Sequence, residues 1–212
     1  MILFNSMIYI HNVKKSRARL SKEYDHSIVI DVSSKAELPY LKFSPFYPHG
    51  DIPVPFSKGL TSESVEGVWQ GLKVFRESDI DLKKLSIKNM SGIKRPARFY
   101  GKPLGHRKGI DGELIDYLEA RKLIYVPCYL WMLKNKTHDL ILELYHKARE
   151  TDIILLDYTT NENLEDLSKP LSHASLIKQM LMEMDQSNIS KRFSTLIKNK
   201  NKDDGQTELK FE

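Results

Sequence analysis

Glu66, Gln70 and Lys73 stand four and three residues apart in a stretch that reads as helix from Ser64 to Phe75. On a helical wheel with Glu66 at zero, Gln70 falls at about +40° and Lys73 at about −20°. A carboxylate, an amide and an amine then share one narrow arc, a grouping from which a polar ligand site can be built. Val65, Val68, Trp69, Leu72 and Phe75 form a broad apolar face of the kind that packs on a core. Gly67 and Gly71 lie together on the remaining flank. Each glycine inside a helix costs roughly 1 kcal/mol relative to alanine, so the pair predicts the close approach of a neighbouring backbone or a ligand. A solvated face is the bland explanation of the stripe, because the helix dipole favours a first-turn Glu without any function. Trp69, the glycine pair and the stiff aromatic loop ahead of the helix favour a site. Periodicity alone assigns the stripe no reaction.

The elements that must position these residues can be read coarsely. A chain of 212 residues with 41% apolar and 29% charged residues is that of an ordinary globular protein, here one domain over residues 1–198 with a disordered tail at 199–212. No apolar run approaches the length of a membrane-spanning helix, and the N-terminus does not read as a signal peptide. Cys128 is the only cysteine, which excludes an internal disulfide and a cysteine zinc site. A reducing, cytoplasmic location is the simplest expectation. A net charge of +5 is compatible with an anionic ligand and too modest to imply DNA binding.

Met7–His11 and Ser27–Val32 read as strands, with Lys14 to Arg19 as a basic turn or loop between them. Phe43 to Leu60 carries prolines at 45, 48, 53 and 55, which deny helix and predict an ordered loop with short extended pieces. That loop must be held by its own rings, Phe43, Phe46, Tyr47 and Phe56. A hydroxyl from Thr61, Ser62 or Ser64 can cap the motif helix. A helix before Gly92 and another after Pro96, then Gly112–Arg121, Leu140–Glu150 and Ser172–Met184, read as helical, and a last helix starts near Asn188. Tyr125–Leu133 is ambiguous between helix and strand, and Ile153–Leu156 is a buried strand candidate. The fold class is α+β, helix-rich, with a small mixed or antiparallel sheet.

From Leu82 to Ile110 there are nine Lys or Arg residues and no Asp or Glu. Arg95, Arg98, Lys102, Arg107 and Lys108 sit among glycines, with Phe99 and Tyr100 able to stack on a base, an arrangement suited to phosphate. A solvated basic face or a nucleic-acid patch is the alternative. Asp157 and Asn161 end a strand, where ligand sites often lie, although turn chemistry explains them equally. His173, after Ser172 at a helix start, is a pocket residue or a structural one. His106 and His138 show no partner spacing for a metal, so neither metal nor cofactor is expected. Tyr125, Tyr129 and Trp131 read as packing residues.

The loop Phe43-Ser44-Pro45-Phe46-Tyr47-Pro48, followed after a spacer by Ser64-Val65-Glu66-Gly67-Val68-Trp69-Gln70-Gly71-Leu72-Lys73, resembles the signature of the NADAR superfamily. Members carry an S-N-F-Y-P-like loop and S-x-E-H-x-x-Q-x-x-K on a helix. The resemblance implies a small α+β fold and an N-glycosidase acting on riboside-phosphate or ADP-ribose compounds. Lys73 is then the nucleophile at the sugar's C1, Glu66 the general acid/base, and Gln70 the group that orients the sugar. The candidate ligand contacts are Phe46, Tyr47, Trp69, Gln70, Arg98, Lys102, Arg107, Asp157 and His173. The implied partner is a phosphate-bearing nucleoside or an ADP-ribose-type molecule, free or carried on nucleic acid, with no membrane involved. This chain departs from the pattern in having Gly67 after the motif glutamate and Pro45 in place of the loop asparagine. It also shows no D-x-x-W-G element near its C-terminus. Those departures keep open a binder of ADP-ribose or nucleotide without catalysis, and a basic nucleic-acid-binding module using residues 83–108.

Overall fold

The computed structural model describes residues 6–187. The helix expected near Asn188 and the tail from Asn199 lie outside the described residues. The chain opens with strand β1 (Ile8–Asn12), helix α1 (Arg17–Glu23) and strand β2 (Ile28–Asp31). Helix α1 stands where the sequence reads as a basic loop. Ser16 caps it by accepting from the Arg19 backbone N–H, and Leu20, fully buried, is its single anchor. One large apolar residue in seven leaves no periodicity to read.

The proline-rich segment is an ordered loop containing a 3₁₀ turn (Tyr40–Phe43) and the two-residue strands β3 (Ile52–Pro53) and β4 (Thr61–Ser62), paired antiparallel. Phe43 is fully buried, whereas Phe56, expected to hold the loop, is 56% exposed. Helix α2 (Val65–Gly71) follows, capped by Ser64 Oγ accepting from Gly67 N–H at 3.0 Å. It ends two residues before Lys73, which opens strand β5 (Lys73–Phe75). The β-forming Val74 and Phe75 leave the helix after Gly71 to pair with a later strand.

A second 3₁₀ turn (Leu82–Ser86) and the single-turn helix α3 (Ala97–Tyr100) lead to β6 (Pro103–Arg107) and β7 (Leu114–Ile115), which make an antiparallel sheet in the order β5-β6-β7. The span read as helix from Gly112 is helical only from α4 (Tyr117–Ala120), capped by Asp116. A π-helical turn (Arg121–Tyr125) runs on into α5 (Val126–Asn135), which settles the ambiguous segment as helix. Helix α6 (His138–Glu150), strand β8 (Ile153–Asp157) and helix α7 (residues 173–187) complete the described chain.

Strand β8 inserts between β1 and β2, parallel to both, in the order β1-β8-β2. The class is thus mixed α and β; small antiparallel sheets are present as expected in β3-β4 and β5-β6-β7, while the β1-β8-β2 sheet is parallel. All five β8 residues are buried, as an unbroken apolar run covered on both faces requires. Ile153 and Leu155 point into the main core, while Ile154 and Leu156 pack with Leu20 of α1 on the other face. Among the described residues no helix is long and apolar enough to cross a membrane.

Candidate active site

A cavity of about 1040 Å³ opens at the carboxyl end of the parallel strands, walled by Ser34, Lys35 and Asp157 on that side and by Glu66, Trp69 and Gln70 of α2 across it. Open parallel sheets place ligands beyond the same strand ends. The motif stripe is therefore no solvated face: every residue of α2 is buried, with Glu66 only 7% exposed.

Glu66 is held from both directions. Its backbone N–H donates to the Pro45 carbonyl at 2.8 Å, tying the aromatic loop to the helix. Gln70 Nε2 donates to Glu66 Oε1 at 2.8 Å, while Gln70 Oε1 accepts from the Arg95 backbone N–H at 3.0 Å. The amide is thus fixed at both ends. Burial pushes the Glu66 carboxyl above its ordinary value, against the Gln70 hydrogen bond and the charges of Lys73 and Lys94.

Lys73 is not on the same helix as Glu66, which corrects the expected one-helix pair. From the start of β5 its Nζ stands 5.8 Å from the Trp69 ring centroid, beside the cavity and not among the residues of its wall. Burial lowers its pKa, opposed by Glu66 and reinforced by Arg95 and Lys94. A carboxylate neighbour by itself would keep a lysine charged; burial and two further cations outweigh it.

Opposite Lys73 across the β5–β6 ladder, the fully buried His106 ring lies on Trp69, centroids 3.7 Å apart. Among the described residues neither of its ring nitrogens has a hydrogen-bond partner of ordinary geometry. Burial, then the Lys73 charge, drives its pKa down to about 3, against the opposing pull of the Trp69 backbone. His106 is thus a neutral plate behind Trp69, which Tyr117 and Tyr125 meet edge-on at 5.3 and 5.6 Å.

The glycine pair serves packing. A Cβ on Gly67 would lie 2.6 Å from Ser62 Oγ and 2.8 Å from the Lys84 carbonyl oxygen, and one on Gly71 3.1 Å from Leu85 Cδ2. The neighbour that comes close is the 3₁₀ turn at Leu82–Ser86, so no larger side chain fits after the glutamate here.

The basic run divides. Arg95 is buried and donates to the Asp79 carbonyl at 2.7 Å, to Ser78 Oγ at 2.6 Å and to the Lys73 carbonyl, strapping the β5 hairpin. Arg107 is bidentate on Asp79, at 2.7 and 3.1 Å, and Lys108 faces Glu113 at 3.4 Å. Lys102 is exposed. Of the expected cations Arg95 and Arg98 reach the wall, where Lys35, Lys94 and Arg121 join them, but the Arg95 guanidinium is spent on the β5 hairpin. Lys94 Nζ stands 5.1 Å from the Phe46 ring centroid. Phe46 is on the wall, whereas Tyr47 packs on His49, ring centroids 4.8 Å apart. Tyr47, Lys102 and Arg107 are therefore not wall residues.

Asp157 and His173 are both on the wall. Asp157 Oδ1 accepts from the Tyr158 N–H at 2.7 Å, and Oδ2 accepts from Ser172 Oγ at 2.7 Å and lies 3.2 Å from His173 Nδ1. His173 Nε2 reaches the Val32 carbonyl at 2.7 Å. This clamp joins β8, the end of β2 and the start of α7. Asn161 is spent on its own loop, Nδ2 donating to the Asp166 and Lys169 carbonyls. Sequence reasoning missed Lys35, Lys94, Tyr117, Arg121 and Tyr125 as wall residues; the last three are spaced by four, a pattern that reads equally as core. Among the described residues no group of three His, Cys, Asp or Glu side chains is placed to hold a metal ion.

Residues 12–177 match a family of unknown function, DUF6939. The chain belongs to that family. The matched span takes in every wall residue of the cavity, from Ser34 to His173. No curated protein matches the chain.

Proposed function

We propose that this protein is an N-glycosidase of the NADAR type, cleaving the N-glycosidic bond of a ribosylated, phosphate-bearing compound such as an ADP-ribosyl nucleobase or a ribosylamino-pyrimidine phosphate. The observation that carries the reading is the opposed pair: one buried environment moves Glu66 toward its acid and Lys73 toward its free amine. Two groups pushed toward each other in this way suit a proton donor and a nucleophile. The Lys73 amine attacks C1 of the sugar as the C1–N bond breaks, and Glu66 gives its proton to the departing nitrogen. The carboxylate so formed takes a proton from the new Lys73–C1 adduct. As the nitrogen lone pair expels the ring oxygen, Glu66 returns that proton to it, and the open-chain Schiff base is hydrolysed by water. Lys94, Arg98 and Lys35 supply positive charge for phosphate, and Trp69 with Tyr117 gives an aromatic wall for a base.

The test is incubation with ADP-ribosylated guanine and with nucleotide sugars, reading product by mass spectrometry and adding borohydride to trap the imine. The expected result is free base plus an adduct on Lys73. Lys73→Ala abolishes both with the fold intact, and Glu66→Gln lowers turnover by about 10²–10⁴-fold. Full turnover in Lys73→Ala would sink the mechanism. A second reading, binding without catalysis, is favoured by the position of Lys73 off the cavity wall; ligand retained without product decides for it. The nucleic-acid module is disfavoured because Arg95, Arg107 and Lys108 are engaged within the chain, and binding that weakens steeply with salt yet survives loss of Glu66 and Lys73 would restore it.

A further inference from the structure

The π turn at Arg121–Tyr125 has a geometric effect on the cavity. Along a regular helix, residues four apart drift by about 40° per step, so the eighth residue on has turned some 80° away. A π turn rotates less per residue and cancels part of that drift, and such turns recur at functional sites. Tyr117, Arg121 and Tyr125 accordingly all stand on the cavity wall.

Their polar ends differ in employment. The Arg121 guanidinium donates to the carbonyls of Leu164, Asp166 and Lys169 at 2.8–3.0 Å. Tyr129, one turn beyond Tyr125, donates its hydroxyl to the Phe43 carbonyl at 2.7 Å. The Tyr125 ring is fixed edge-on against Trp69 and stacked on Tyr129, centroids 5.6 and 6.2 Å away. Its hydroxyl makes no hydrogen bond to any described residue. The residue is half-buried and lines the cavity. A half-buried phenol on the cavity wall with no partner in the described chain is open to a hydrogen bond from a ligand there. Burial first, then the charges of Glu66 and Asp157, hold it well above its ordinary value, leaving a neutral O–H able to donate.

We infer that the Tyr125 hydroxyl reads a sugar hydroxyl of the ligand, next to the carbon that Glu66 and Lys73 attend, and makes the site select ribosyl over 2-deoxyribosyl compounds. This rests on the ribosyl-phosphate reading above. The probes are ribose 5-phosphate and 2-deoxyribose 5-phosphate, titrated calorimetrically into the full chain, into Tyr125→Phe and into Tyr129→Phe. The wild type is expected to bind the ribose compound about five- to tenfold more tightly, the worth of one neutral hydrogen bond. Tyr125→Phe loses that preference while still binding both sugars, and Tyr129→Phe keeps it. Equal binding by the wild type, a preference retained in Tyr125→Phe, or loss of fold in that variant would each overturn the role of Tyr125 and leave the ribosyl-phosphate reading standing. If neither sugar phosphate binds the wild type, both fall together.

Discussion

Glu66 and Lys73 each bear a cost in the folded state, and the cost has a pH signature. Burial raises the Glu66 carboxyl above its unfolded value of about 4.3, so the folded state holds a proton that the unfolded chain has released. The stability it contributes is fully present below the unfolded value and is lost as pH rises through the folded one. Glu66→Gln has no proton to release. Its denaturation midpoint is therefore expected to exceed that of the wild type by a margin that is absent in acid and grows with pH, while turnover falls. His106 has the opposite sign. Its folded value of about 3 lies below the unfolded value of about 6.5, so its contribution is lost as pH falls from the latter toward the former. His106→Phe, which keeps a ring against Trp69, should flatten that acid slope in urea titrations. Glu66 and Gln70 were legible because the 3.6-residue period keeps them together whatever surrounds them. Lys94 and Lys35 were not, because a lysine on a loop has no period to betray which way it faces.

At the scale of elements, α2 is a short helix whose two glycines answer to different neighbours. Gly67→Ala gains up to about 1 kcal/mol in helix propensity, but its Cβ meets the Lys84 backbone carbonyl at 2.8 Å, which cannot step aside cheaply. A net loss of about 1–3 kcal/mol is expected, measured by chemical denaturation. At Gly71 the nearest atom is the end of a leucine side chain at 3.1 Å, and alanine there is expected to be tolerated. The sequence announces the glycine pair and the helix start, since Ser64 and the glycines are local signals. The change to β5 before Lys73 is written elsewhere, in the pairing with His106 thirty-three positions on. Tyr125 was hidden for a related reason: aromatics four apart on a helix are the ordinary pattern of a core, and a π turn leaves no compositional trace.

For the whole molecule, β8 is decisive. It was legible as a buried strand, Ile153 to Leu156 being an apolar run, yet its place between β1 and β2 depends on partners more than a hundred residues away. Leu155→Ala is expected to cost about 2–5 kcal/mol, seen as a lowered urea midpoint with unchanged slope. A fragment of residues 6–150 keeps β1 and β2 but nothing to pair them, and circular dichroism should show it unfolded. The central position of β8 also sets an order of events during synthesis. At roughly 5–20 residues per second, the first two strands leave the ribosome on the order of 10 s before the one that joins them. Asp157 and His173 arrive with or after it, so the nascent chain carries Glu66 and Lys73 for seconds before the cavity around them is closed, and ligand capture belongs to the finished protein alone.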